Sequence, residues 1–248
     1  MKDDTELFDY IIIGGGTAGS VLTNRLSKNG ASVCLLEAGS NDWNPLIHIP
    51  AGYIRNVHSK SLTWGFKSEA SEGTANRSVS LPQGRVLGGS SSINGLNYNR
   101  GQSNDFDTWG QLGNPGWYYK DVLPYFQRSE KRIGAGDDKY RGRSGELPIT
   151  DLDWHHPITE AFINGAKELG IPINPDYNGE KQEGSGYFQR TIHKGLRVSA
   201  ARAFLKPIKS RPGVDIRTEC HVSKILIKDN RATGVSYIKG GRKGLSRS

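Results

Sequence analysis

A chain of 248 residues with 35% apolar side chains and 32 glycines has a normal globular share of nonpolar material, which excludes disorder along its whole length. The glycines show no Gly-X-Y period, and no apolar run reaches the ~18 residues of a membrane helix, so a collagen-like rod and a spanning helix are excluded. The net charge is +8, with 16 Lys and Arg against 4 acids in residues 181–248; these cations are scattered without interleaved aromatics, so no nucleic-acid partner is expected.

Met1 to Glu6 is polar and mixed in charge, with no secretory pattern. Phe8 to Ile13 is a short β-branched run and predicts a strand. Gly14-Gly15-Gly16-Thr17-Ala18-Gly19 follows, then a helix over Ser20 to Lys28 with Val21, Leu22 and Leu26, stopped by Asn29-Gly30. Ser32 to Leu36 predicts a second strand, ending in Glu37. Strand, glycines, helix, strand and acid together form a dinucleotide-binding βαβ unit. Gly14 permits the tight turn, Gly16 lets a pyrophosphate approach the backbone, and Gly19 lets helix and sheet pack closely. The helix N-terminus offers free N–H groups to the anion, so Thr17 and Ala18 join the candidate site. Glu37 would accept hydrogen bonds from a ribose diol and repel a 2′-phosphate. This unit alone leaves FAD and NAD both open.

Residues 39–82 are irregular, with Pro45, Pro50 and Pro82. Gln83 to Gly101 is rich in Gly, Ser and Asn. Ser103 is expected to cap a helix through Leu112, and Trp117 to Lys131 is expected to be helical despite Pro124. Ile133 to Gly145 reads as a loop. His156 or Pro157 opens another helix, which Gly170 closes, and Asn174 to Gly186 is loop. Ser199 is expected to cap a helix from Ala200 to about Ser210. Val214 to Arg217, Val222 to Lys228 and Ala232 to Ile238 predict strands, the last two joined by the turn Lys228-Asp229-Asn230-Arg231. Lys239 to Ser248 loses apolar alternation. Cys34 and Cys220 make no disulfide framework and no zinc site, and Cys34 reads as a buried thiol. His155-His156 reads as surface or capping rather than a metal pair, so no metal is expected. Strand alternation would point His221 away from the face of Val222. The five tryptophans, Trp64 among them, read as packing residues.

The stretch Gly84-Arg85-Val86-Leu87-Gly88-Gly89-Ser90-Ser91-Ser92-Ile93-Asn94, followed by Tyr98, Gly101 and Asp107, lacks bulk where backbone N–H groups and hydroxyls could approach a flat ring and its diphosphate. It closely resembles the first sequence signature of the glucose–methanol–choline (GMC) oxidoreductases, flavoproteins that oxidise alcohols. The resemblance extends to the βαβ unit and to Arg197–Val222, with Ser199-Ala200-Ala201-Arg202-Ala203-Phe204-Leu205 inside it. It is nearest to the choline dehydrogenase and aliphatic alcohol dehydrogenase branch.

The resemblance implies an α/β fold: a Rossmann-like FAD-binding domain with part of an α+β substrate domain, the C-terminal half absent. Residues 1–150 would form the FAD-binding core with its signature loop, 151–196 part of the substrate region, 197–240 the return to the FAD domain, and 241–248 an atypical tail. Arg85, Gly89, Ser90, Asn94 and Gly95 are expected against the flavin and its phosphates, and Val222 against the adenine through its main chain. Some family members link FAD through a His at the position of Asn94. An amide cannot form that bond, so FAD is expected to be non-covalent. The family's proton-accepting His lies in a C-terminal part with no counterpart here, so no catalytic residue is assigned and the chain reads as a truncation. For a full-length parent the resemblance implies a small-molecule alcohol as donor, with oxygen or a quinone-type molecule taking the electrons. The expected location is the cytoplasm or the periphery of the inner membrane. Two alternatives stand: a non-catalytic FAD-binding remnant or interaction module, and an NAD-dependent Rossmann dehydrogenase.

Overall fold

Residues 6–247 are described in a computed structural model. Met1–Thr5, most of the polar N-terminal stretch, and Ser248 lie outside the described residues. The chain divides into two compact units, Met1–Gly95 with Gly195–Ser248, and Leu96–Lys194. The divisions expected from the sequence fell at 150/151 and 196/197. The structure groups residues 96–150 with those that follow because Arg132 pairs with Asp151, Arg141 with Asp176, and Thr150 exchanges backbone hydrogen bonds with Arg190.

The first unit opens with β1 (Glu6–Leu7) and β2 (Tyr10–Ile13), a break in the single strand expected there. Helix α1 (Thr17–Leu26) crosses to β3 (Val33–Leu36), which pairs parallel with β2, Ile11 opposite Cys34. All four residues of β3 are buried, as a central parallel strand covered on both faces requires. The face α1 buries differs from the apolar one expected. Leu22 is half exposed, whereas Gly19, Ser20, Thr23 and Asn24 are buried. These polar side chains are satisfied: Thr23 Oγ1 donates to Gly19 O at 2.7 Å, and Asn24 Nδ2 to Phe204 O at 2.9 Å. Small residues win this face because the helix lies almost on the sheet. A Cβ on Gly19 would sit 1.9 Å from Gly14 O. Short helices α2 (Pro45–His48) and α3 (Tyr53–Asn56) and the antiparallel pair β4 (Phe66–Lys67) and β5 (Ser80–Leu81) fill residues 39–82.

In the second unit α4 (Ser103–Gln111) is capped by Gln102 rather than Ser103, with Asp105 bonding back to the Gln102 N–H at 2.9 Å. Helix α5 (Tyr119–Ser129) stops short of Lys131 because the chain turns into β6 (Glu130–Ile133), parallel to β7 (Leu147–Thr150). Glu130 is completely buried and forms ion pairs with Arg100 and Arg141; Arg141 also pairs with Asp176 at 2.5 Å. His156 caps α6 (Pro157–Glu168), its Nδ1 accepting from the Ile158 N–H at 3.2 Å, which is the role the sequence suggests. The strand β8 (Ile192–His193) ends the unit.

Back in the first unit come β9 (Leu196–Arg197) and a π-helical turn over Ala201–Leu205 that tightens into a 3-10 turn over Lys206–Ile208. These turns occupy the place of the helix expected from Ala200 to about Ser210, in π and 3-10 rather than α geometry, and Ser199 Oγ accepts from the Arg202 N–H at 3.2 Å as a cap would. Pro207 has no N–H to continue an α-helical ladder. Strand β10 (Val214–Arg217) pairs parallel with β3 on the side away from β2, giving the Rossmann-like order β10-β3-β2. The hairpin of β11 (His221–Lys228) and β12 (Arg231–Lys239) matches the sequence reading. The tail is corrected: β13 (Arg242–Arg247) pairs antiparallel with β12 and parallel with β1. Gly240 and Gly241 both have positive φ, which a two-residue hairpin turn of this twist demands.

Strand β3 feeds two cores. Leu35 packs with Leu87, Ala201, Leu205 and Ile208 on one face. Cys34 and Leu36 pack with Cys220 and Val235 on the other. Both cysteines are free and buried, and burial pushes the Cys34 thiol up to about 12, so it stays protonated and unreactive at neutral pH.

Candidate cofactor-binding site

The site begins where β2 ends. Gly14 turns with φ +91° and donates its N–H to Leu36 O at 2.8 Å. Helix α1 then starts on Gly16, with no side-chain cap and no acid in its first turn, so its first N–H groups are offered to an anion. Thr17 and Ala18 stand exposed in that turn.

Glu37 is 5% exposed and braces the loop. Its Oε2 accepts from the Gly15 N–H and its Oε1 from the Gly39 N–H, both at 2.7 Å. Burial pushes its pKa up, partly offset by those two N–H groups and by the charge of Arg85. Each carboxylate oxygen keeps a second lone pair, enough to accept from a ribose diol. Because the folded state holds the Glu37 proton more tightly than the unfolded state, the contribution of this titration to stability is greatest below the unfolded pKa. It is lost as pH rises through the raised folded value. Glu37→Gln removes that titration and sets an amide NH2 against one of the two N–H donors. We expect a loss of about 1–3 kcal/mol at neutral pH, with a flatter stability profile across the weakly acidic range. Urea unfolding at a series of pH values checks both, and an unchanged profile in the variant would refute this account of Glu37.

The second glycine loop lies directly on the first. Gly88 donates its N–H to Gly15 O at 2.7 Å. Gly89 has φ +57°, and a Cβ there would meet Gly16 Cα at 2.8 Å. The serines hold the loop's shape: Ser90 Oγ accepts from the Gly84 N–H at 3.1 Å, Ser91 Oγ from the Ala200 N–H at 2.8 Å, and Ser92 Oγ donates to Leu87 O at 2.8 Å.

Gly14, Gly16, Glu37, Gly89 and Val222 converge on one cleft of about 280 Å³. The other candidates take different places. Gly19 packs helix on sheet. Arg85 is exposed, its guanidinium 5.1 Å from the centre of the Trp64 ring. Ser90 braces Gly84, and Asn94 and Gly95 are exposed at the end of the loop, Asn94 held by Arg197. Two residues that sequence reasoning set aside also line the cleft. Trp64 is brought there because its N–H donates to Gln83 O at 2.9 Å beside the signature loop. His221 lines the cleft next to Val222 and meets the Trp64 ring edge-on at 5.7 Å, contrary to the alternation expected. It is the first residue of β11, where the pairing register slips just beyond Val222. No sequence signal marks either residue beyond their proximity to the signature and to Val222. Among the described residues no group of three His, Cys, Asp or Glu could hold a metal ion, and no helix is long and apolar enough to cross a membrane.

A βαβ loop, an acid closing its second strand and a glycine–serine loop seated on both define a dinucleotide-binding flavoprotein unit. The chain belongs to the GMC oxidoreductase family, whose model matches residues 8–247. It is 45% identical over 235 residues to an oxygen-dependent choline dehydrogenase of Sinorhizobium medicae, and 44% identical over 234 residues to an alcohol dehydrogenase (acceptor) of Pseudomonas putida. Each match covers 94% of this chain and 42% of the relative, so the chain spans less than half the length of these proteins. Among solved structures it resembles pyridoxine 4-oxidase from Mesorbium loti, with a TM-score of 0.88 and 31% identity over 97% of this chain and 48% of that one. It also resembles formate oxidase from Aspergillus oryzae, with a TM-score of 0.87 and 27% identity over 99% of this chain and 44% of that one. The formate oxidase is described with a modification of its FAD, and the FAD-binding domain is present here.

Proposed function

We propose that this chain is the FAD-holding part of an oxidoreductase acting on CH–OH groups, with choline or another primary alcohol as donor and the aldehyde as product. The relatives named for choline and for alcohol support that donor class. The observation that carries the reading is the cradle: a Cβ on Gly89 would meet Gly16 Cα at 2.8 Å, so the second loop can seat beside the open end of α1 only as glycine backbone. FAD supplies the acceptor for a hydride from the carbinol carbon.

The chain's own residues bind and orient. The turn that opens at Gly14 presents the N–H groups of Gly16, Thr17 and Ala18 to the diphosphate, and Gly19 holds the helix close against the sheet behind it. Glu37 takes the ribose hydroxyls. The main chain at Val222 meets the adenine, and Arg85, Gly89, Ser90, Asn94 and Gly95 hold the flavin and its phosphates. Ile13 and Val222 keep water from the cleft wall they form. No residue of this chain is assigned the proton-accepting role. Oxygen or a quinone-type molecule takes the electrons; one relative's name gives oxygen and the other an acceptor without specifying it.

Purified protein should show the visible absorbance of oxidised flavin, and acid precipitation should leave all of the yellow colour in the supernatant. Colour in the pellet would contradict non-covalent binding at Asn94, and an NAD-dependent dehydrogenase would show no flavin spectrum. A second reading is an FAD-binding unit without turnover. Alcohol-dependent dye reduction by the loaded chain separates the two: turnover supports the enzyme, and its absence supports the binding unit.

A further inference from the structure

Arg197 is completely buried. Its Nε donates to Ile47 O at 2.8 Å, and its Nη1 donates to Ser91 O at 3.1 Å and to Asn94 Oδ1 at 2.7 Å. Its Nη2 is buried with no hydrogen-bond partner. The three acceptors are neutral, and among the described residues no carboxylate forms an ion pair with it. Burial is the sole cause pushing its pKa down, to about 10. The contrast within this chain is sharp. The buried Arg100, Arg132 and Arg141 each pair with a carboxylate. A cation taken out of water without a counter-charge is costly, so its retention at this point calls for a reason.

The geometry supplies two. A guanidinium only donates, so the short bond from Nη1 identifies the Asn94 acceptor as its carbonyl oxygen and fixes which way the amide faces. The same side chain ties the end of the signature loop, at Ser91 and Asn94, to α2 at Ile47. We infer that Arg197 is a positioning residue of the cofactor loop: it fixes the Asn94 amide and holds an uncompensated positive charge against the loop that bears the flavin. This rests on the FAD reading above. Reduction adds two electrons and one proton to a neutral isoalloxazine and leaves one negative charge. A fixed cation at the flavin's loop favours that state.

The test is the midpoint potential of the bound flavin, by dye-equilibrated reduction of the FAD-loaded chain, together with FAD affinity. In Arg197→Met the preference for reduced over oxidised flavin should fall at least tenfold, a drop of about 30 mV for two electrons. Arg197→Lys keeps the charge but cannot bond Ile47, Ser91 and Asn94 at once. It should hold the wild-type potential while binding FAD about tenfold more weakly. Asn94→Ala should weaken FAD to a similar degree, and adding it to Arg197→Lys should cost little more, because both remove one interaction. An unchanged potential in Arg197→Met, or an equal drop in Arg197→Lys, would overturn the charge role. Should Arg197→Met not fold, the affinity cycle decides the positioning role: additive losses, or wild-type binding by Asn94→Ala, overturn it. Wild-type protein that takes up no FAD overturns the functional reading and this inference together.

Discussion

Replacing Gly19 by alanine should destabilise the FAD-binding unit by about 3 kcal/mol and abolish retention of FAD. On a solvent-facing helix the same change would stabilise by about 0.5–1 kcal/mol, because alanine loses less backbone freedom on folding. Here the sign reverses. The new Cβ would sit 1.9 Å from Gly14 O, 3.1 Å from Gly14 C and 3.2 Å from Ile12 Cγ2. Two of those atoms are backbone at the end of β2, and Gly14 N–H is itself bonded to Leu36 O, so the loop cannot yield without breaking the strand's end. Either α1 lifts from the sheet or the turn that faces the diphosphate opens. Thermal unfolding and flavin retention on gel filtration read both effects. An alanine protein that melts like the wild type and keeps its colour would mean that helix and strand do not meet as described.

The largest effect in the second unit is expected at Glu130. Its Oε1 accepts from Arg141 Nη2, and its Oε2 accepts from Arg100 Nη2 and from the Gly142 N–H at 2.8 Å. Arg141 is completely buried and continues to Asp176 Oδ1 at 2.5 Å and Gln189 Oε1 at 2.9 Å. Burial alone would push the Arg141 guanidinium down, yet the hydrogen bonds and charges of Glu130 and Asp176 leave it above the usual arginine value. Glu130→Ala strands Arg100 out of water and leaves Arg141 with Asp176 as its one carboxylate partner among the described residues. Breaking one partner of a buried pair costs about 3–5 kcal/mol, so residues 96–194 should become labile to limited proteolysis at urea concentrations the wild type resists. Near-wild-type resistance would show that the two arginines find other partners. Arg100→Met on the Glu130→Ala background should recover part of the loss, since Arg141 keeps Asp176 and no cation is then left unpaired.

The two arginines also show where the sequence is silent. Arg100, Glu130 and Arg141 stand far apart along the chain, and charged residues so spaced read as surface. Only the tertiary fold brings them into one buried cluster. The βαβ unit was legible because its signals are local: a β-branched run, glycines at fixed offsets and an acid at the end of the next strand. The face of α1 was not, since helix periodicity points to Val21, Leu22 and Leu26, whereas close approach at Gly19 selects small polar residues. The signature loop was legible as composition. Its seating on Gly15 and Gly16 was not, because a backbone-to-backbone contact leaves no side-chain trace. In β13 the missing apolar alternation hid a strand whose turn, Gly240-Gly241, was the available clue. Trp64 and His221 reach the cleft through long-range pairing that no local pattern encodes.

The placement of β3 between β2 and β10 has a consequence for synthesis. Val33–Leu36 emerges from the ribosome early, but the strand that covers its far edge, Val214–Arg217, comes only after the whole of Leu96–Lys194. At the ~5–20 residues per second of translation, that edge waits on the order of 10–40 s. The contiguous second unit can fold in that interval, while the discontinuous first unit keeps the far edge of β3 unpaired. High contact order of this kind slows folding and lengthens exposure to chaperones and to aggregation. The yield of flavin-loaded protein should therefore depend more steeply on growth temperature and chaperone supply than the stability of the finished fold would suggest.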